Sequence, residues 1–154
     1  MNTFKNVPSR YEHIEIDQGD VVIIKRNDGS ATFCRKDKTI EVTRVELIKL
    51  LSLNDTISKC LDGDIRMHEL LGTDKYEGNF VSVESYNGFM YVDIRRWYWG
   101  HDKYLPTRIG IKLRSYQWDE VFNGLSKQFR NELFNSISGG QCEESHLTSR
   151  DVVV

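Results

Sequence analysis

Residues 91–113 read YVDIRRWYWGHDKYLPTRIGIKL. Arg95 and Arg96 run directly into three large rings, Trp97, Tyr98 and Trp99, and Lys103, Arg108 and Lys112 follow. Over residues 91–114 these cations and Arg114, six in all, stand against Asp93 and Asp102, a local charge of +4 in a chain of net charge −2. Aromatic rings stack on any base, at about 1–3 kcal/mol per base. Arginine pairs with phosphate and also stacks. The chemistry on offer is therefore non-covalent, a grip on a single strand through phosphates and base faces. Because the chain as a whole is not basic, polyanion binding has to come from such a local patch. The competing reading makes Trp97 and Trp99 core or interface residues, since large aromatics dominate interfaces too. Asp93 is expected to partner an arginine rather than to catalyse.

Other chemistries lack their residues. Cys34, Cys60 and Cys142 are far apart, as are His13, His68, His101 and His146, and no metal-ligand spacing joins them. No nucleophile elbow, phosphate loop, zinc-protease or dinucleotide motif occurs. No enzyme activity, cofactor or metal is predicted. No apolar run approaches the roughly 20 residues that span a bilayer, and MNTFKNVPSR lacks the apolar core of a signal peptide. An intracellular protein is expected, nuclear if it comes from a eukaryote or a virus of eukaryotes. With 154 residues and 39% hydrophobic content, one domain or two small ones can close a core.

The elements that must position the patch are mostly strands. FVSVESY (80–86) alternates, Asn87-Gly88 is a strong hairpin signal, and FMYVDIRRWYW (89–99) returns. YLPTRIGIKL (104–113) supplies one or two short strands, with Pro106 at an edge or a break. From Ser115 the period lengthens: Trp118, Val121, Phe122, Leu125, Phe129, Leu133 and Ile137 line one helical face, with Ser115 as cap and Gly139-Gly140 as stop. Trp118, heading that stripe, is expected in the core. Strand parity puts Val92 and Ile94 toward the helix, and Tyr91, Asp93, Arg95, Trp97 and Trp99 on the other face.

The first half has a similar order. HIEI, VVIIKR, SATFCRK and KTIEV are strand candidates, and Thr43 with Glu46 forms a capping box before Leu47, Leu50 and Leu51. Val22 and Ile24 lie over Val92 and Ile94 at an offset of 70, and Ile40, Val42 and Leu47 over Ile111, Leu113 and Trp118 at an offset of 71. The expected organisation is a degenerate β4α repeat at 11–61, a connection at 62–79 with a short helix at most, a second β4α unit at 80–138, and a mobile tail at 139–154. The class is α+β: curved antiparallel sheets with a long C-terminal helix, paired as a pseudo-dimer.

Over residues 80–125 the pieces SYNG, VDIRRWYW, PTRIGIKL and YQW resemble, in order, the C-terminal domain of the positive cofactor four family of transcriptional coactivators. The resemblance implies a β-β-β-β-α unit that dimerises through its helices. It also implies that the paired sheets bind single-stranded DNA or unwound duplex with little sequence preference. It places the stacking rings at Tyr86 and Tyr98 and the backbone-contacting cations at Arg95 and Arg108. Ile109 stands where the family has a lysine, and Thr107 where it has a glycine. Tyr98 falls on the core-side parity, so this assignment expects a bulge near Arg96.

The expected function is low-specificity binding of single-stranded DNA in transcription or genome maintenance, replication included. The site residues are Tyr86, Arg95, Arg96, Trp97, Tyr98, Trp99, Lys103, Arg108 and Lys112. The implied partners are single-stranded DNA, the transcription machinery and a second copy in a homodimer, with no membrane. The alternatives are RNA as ligand, or a protein-interaction module of the same fold that no longer binds nucleic acid.

Overall fold

The computed structural model describes the backbone of residues 11–139 and the side chains of residues 12–130. The expected tail, apart from Gly139, lies outside the described residues. Two four-stranded antiparallel meanders are each followed by helix. The first comprises β1 (Tyr11–Ile16), β2 (Val21–Arg26), β3 (Ala31–Arg35) and β4 (Lys38–Val42), then α1 (Arg44–Ser52) and α2 (Asn54–Gly63). The second comprises β5 (Met67–Asp74), β6 (Glu77–Tyr86), β7 (Phe89–Gly100) and β8 (Lys103–Arg114), then α3 (Ser115–Gly139). The class is α+β, as the alternation of periods implies.

The register superposes the two meanders. In the first, Ile23 pairs with Phe33 and Phe33 with Ile40; in the second, Val81 pairs with Ile94 and Ile94 with Ile111. The neighbouring rungs are Lys25–Ala31–Val42 and Val83–Val92–Leu113. The expected match of Ile40 and Val42 to Ile111 and Leu113 thus holds. The match of Val22 and Ile24 to Val92 and Ile94 does not. The counterparts of Val92 and Ile94 are Ala31 and Phe33, one strand later, and Val22 and Ile24 point outward while Val21 and Ile23 are buried. β2 and β3 both alternate, and sequence spacing alone does not say which is the third strand.

One further expectation is corrected. The segment 62–79, expected as a connection with a short helix at most, holds all of β5 and the start of β6. A register shift between Leu70 and Gly72 breaks the alternation of MHELLGTD, which hides the strand. Residues 103–114 form a single strand, longer than expected, at the sheet edge expected for Pro106, where it costs no central ladder bond.

Both inner faces close one core, from Ile16, Ile23 and Phe33 to Val81, Ile94, Trp118 and Leu125. β4 lies beside β8, and the helices cross over. α1, leaving β4, packs on β5; α3, leaving β8, packs on β1 as well as on β7 and β8. The two halves therefore pair within one chain, with a pseudo-twofold arrangement. Trp118 is fully buried, and its Nε1 donates to Asn54 Oδ1 at 2.9 Å, tying α3 to α2.

The third residue of α1 and of α3 does the same local work. Thr43 caps α1: Thr43 N donates to Glu46 Oε1 at 2.9 Å, and Glu46 N to Thr43 Oγ1 at 3.2 Å. At α3 it is Arg114, not Ser115, whose N–H meets the third helical residue, donating to Gln117 Oε1 at 3.0 Å. Gln117 is buried at 3% exposure. It also accepts from Arg35 Nη2 at 2.8 Å and donates to Asp17 at 2.8 Å and Asp20 at 2.9 Å, all in the first meander. Gln117→Leu keeps the volume but strands these partners, so it should cost about 1–3 kcal/mol. A urea midpoint equal to wild type would contradict this role.

Candidate nucleic-acid interface

The outer face of the second sheet collects the rings. Alternation that buries Val81, Val83, Val92 and Ile94 turns Phe80, Tyr86, Tyr91, Trp97 and Trp99 the other way. His68 of β5 and Tyr104 of β8 join them. His68 stacks on Phe80 at 4.3 Å, Trp97 meets the His68 edge at 4.6 Å, and Tyr104 links Phe80 to Trp99 at 5.0 Å each. At the other end of β7, Tyr86 and Phe89 flank the Asn87-Gly88 turn, half-exposed at 54% and 51%. Asn87 and Gly88 both have positive φ, 52° and 83°, the conformation this dipeptide was expected to adopt.

Cations sit over these rings. Lys112 Nζ lies 4.3 Å above the Tyr86 ring, and the Arg114 guanidinium lies 4.4 Å from Phe89 and 5.7 Å from Tyr91. Arg95 shares the face but is held: its Nε bonds both Asp93 oxygens at 3.2 Å, and Nη1 donates to Thr107 O at 3.0 Å. Asp93 is thus an arginine partner, as expected. Lys103 and Arg108 are exposed and pair with no other described residue.

Of the nine expected site residues, Tyr86, Arg95, Trp97, Trp99 and Lys112 share this face. Arg96 and Tyr98 do not. A bulge does occur at this level, but in β8. Between the pairs Arg95–Gly110 and Trp97–Pro106, β7 advances two residues and β8 four, while the β6–β7 register stays continuous. The bulge therefore leaves the parity of β7 unchanged. Tyr98 pairs with Glu77 and Leu105 on the opposite side and is 44% exposed. Arg96 is tied to Glu77, to Asp74 at 4.0 Å and to Asn79 at 3.4 Å.

Sequence reasoning missed Phe80, Phe89, Tyr104 and His68 as members of the ring row, and Arg114 as a cation over it. The signal for Phe80 was present, since it shares the parity of Ser82 and Tyr86. Tyr104 and His68 were hidden by the β8 bulge and the unrecognised β5. Among the described residues, no group of three or more His, Cys, Asp or Glu could hold a metal ion. No described helix is long and apolar enough to cross a membrane.

Residues 75–123 match the model of the transcriptional coactivator p15 (PC4) family. The matched segment runs from the β5–β6 turn through β6, β7 and β8 into α3, so it contains nearly all of the ring face, and it is less than half of the chain. The resemblance carried by SYNG, VDIRRWYW, PTRIGIKL and YQW is thus found independently. Among solved structures, the chain is similar to the bacteriophage T5 homolog of the eukaryotic transcription coactivator PC4, implicated in recombination-dependent DNA replication. Identity is 17%, covering 58% of this chain and 97% of that one, with a TM-score of 0.33, too low to argue about individual residues. No curated protein matches the chain.

Burial among the rings holds the His68 imidazole below its ordinary value of 6.5; Glu84, Asp93 and Glu69 pull the other way without cancelling this. Its Nδ1 lies 2.7 Å from Ser82 Oγ. The folded state therefore takes up the His68 proton less readily than the unfolded chain. Stability is full above the unfolded value and falls as pH drops below it. The Tm should decline from about pH 7 to about pH 5, and His68→Gln should remove part of that decline. Identical pH profiles for the two proteins would contradict the assignment.

Proposed function

We propose that this chain binds single-stranded DNA with low sequence preference, in transcription or genome maintenance, through the outer face of its second sheet. The observation that carries the reading is the set of half-exposed rings on this face, Tyr86, Phe89 and Trp99, with Lys112 lying over Tyr86 and Arg114 over Phe89. A soluble sheet has no packing reason to leave such a row open, and exposed apolar patches of this kind mark binding surfaces. Bases stack on the rings, and the ammonium and guanidinium groups meet the phosphates. β7 from Phe89 to Trp99 spans about 33 Å at about 3.3 Å per residue, room for several stacked bases. The family match over residues 75–123 supports the same reading. The two meanders close one core within the chain, so on this reading a single copy presents the whole face.

The second reading is a protein-interaction module. It is favoured by the carboxylates that already occupy two of the arginines, Asp93 on Arg95 and Glu77 with Asp74 on Arg96. Titration with labelled oligonucleotides at low salt separates the two. On the nucleic-acid reading, Trp99→Ala and Tyr86→Ala each weaken binding by about 1–3 kcal/mol at every sequence, while Tyr98→Ala changes it little. Affinity also falls steadily with salt. Absence of any complex at low salt overturns the nucleic-acid reading and favours the protein-interaction one, and equal loss from Tyr98→Ala overturns the choice of face. Competition with matched RNA reports the sugar preference, which ring stacking does not set.

A further inference from the structure

A groove of about 520 Å³ lies where the β3–β4 turn of the first meander meets the outer face of β8. Arg35, Lys36 and Lys38 line it from the first half, and Tyr86, Arg95 and Lys112 from the second; Asp37 is the carboxylate in its lining. Five cations and one carboxylate line it, and with Asp20 and Asp93 on two of the cations the balance is still positive; such clefts focus the field on an anion. The cations fall into two kinds. Arg35 is fixed by Lys112 O, Gln117 and Asp20, and Arg95 by Asp93. Lys36 and Lys38 are exposed and pair with no other described residue.

The groove continues the ring row, because Tyr86 and Lys112 belong to both. Gly110 forms part of its floor, and a Cβ there would come within 2.7 Å of Ile94 O, so no side chain rises into the groove at that point. Beyond the turn the surface changes. The rungs Glu15–Val22–Cys34–Thr39 and His13–Ile24–Thr32–Glu41 of the first sheet face outward with His13 as their one ring and with two carboxylates.

We propose that the β3–β4 turn is the phosphate-binding end of the site. A single strand stacked on the second sheet leaves it through this groove, with backbone phosphates held by Lys36 and Lys38. The first meander thereby contributes two phosphate contacts, and the ring row of the second sheet stops at the turn. This rests on the nucleic-acid reading of the second sheet.

The test neutralises the two lysines without disturbing the turn. Lys36 has φ 54°, a conformation that asparagine tolerates, so the variant is Lys36→Asn with Lys38→Gln. Binding of an oligodeoxythymidylate of about 16 nucleotides, near the upper end of known single-strand site sizes, is measured against salt. Each lost phosphate contact lowers the slope of log K against log salt by about 0.7 on single strands. The double variant should therefore lower it by about 1.4 and weaken low-salt binding roughly tenfold, with an unchanged Tm. Lys38→Glu should weaken binding further than Lys38→Gln. A wild-type protein that binds, paired with a double variant of equal slope, overturns the groove assignment alone. A wild-type protein that binds no oligonucleotide overturns both it and the reading beneath it.

Discussion

Two buried polar side chains, Glu46 and Gln117, hold the architecture together. Each is the third residue of the helix that follows its meander, and each accepts from the backbone N–H at that helix's start. Each also reaches the opposite sheet. Asn79 of β6 donates to Glu46 Oε1 at 3.0 Å and to Glu41 O of β4 at 2.9 Å. Arg35 of β3 donates to Gln117 Oε1 and to Lys112 O of β8. Glu41 and Lys112 are equivalent by register, as are Glu46 and Gln117 at the helices, so one junction is built twice. Buried polar groups are costly unless satisfied, and here the partners that satisfy them come from the other half. The junction thereby favours pairing of the two meanders over any looser packing of their apolar faces. Gly72 belongs to the same constraint, since a Cβ there would lie 2.6 Å from Glu46 Oε2.

This scaffold leaves the outer faces free to differ. With both inner faces committed to a shared core, nothing in the packing dictates the other side of either sheet. The first sheet carries Val22, Ile24, Thr39 and Glu41 outward; the second carries Phe80, Tyr91, Trp97 and Trp99. The pseudo-symmetry of the fold thus does not extend to its outer faces. The ring row lies on one sheet, and the other half brings cations to the turn where the two meet.

Much of the fold was legible in the sequence because it rests on local rules. The Asn87-Gly88 turn, the Thr43–Glu46 capping box and the helical stripe through Trp118, Val121 and Leu125 are short-range signals, and the structure has all three. The parity that turns Trp97 and Trp99 away from Val92 and Ile94 was legible for the same reason. Where the pattern was interrupted, inference failed. The irregular step at Leu70–Gly72 concealed β5, and the two extra residues of β8 around Arg108 were attributed to β7. Contacts such as Arg35 with Gln117 join residues 82 positions apart. No local rule announces them, and the cationic groove exists only because of them.

On the reading proposed above, nucleic acid lies on the outer face of the second sheet and leaves the core untouched. The chain has three tryptophans, each with an indole N–H that reports separately. Trp97 and Trp99 belong to the ring row, whereas Trp118 is fully buried and bonded to Asn54. An NMR titration of the ¹⁵N-labelled chain with a single-stranded oligonucleotide follows all three in one spectrum. Progressive shifts of the Trp97 and Trp99 indole signals are expected while that of Trp118 stays in place. Unmoved Trp97 and Trp99 signals in a chain that demonstrably binds the oligonucleotide would contradict it.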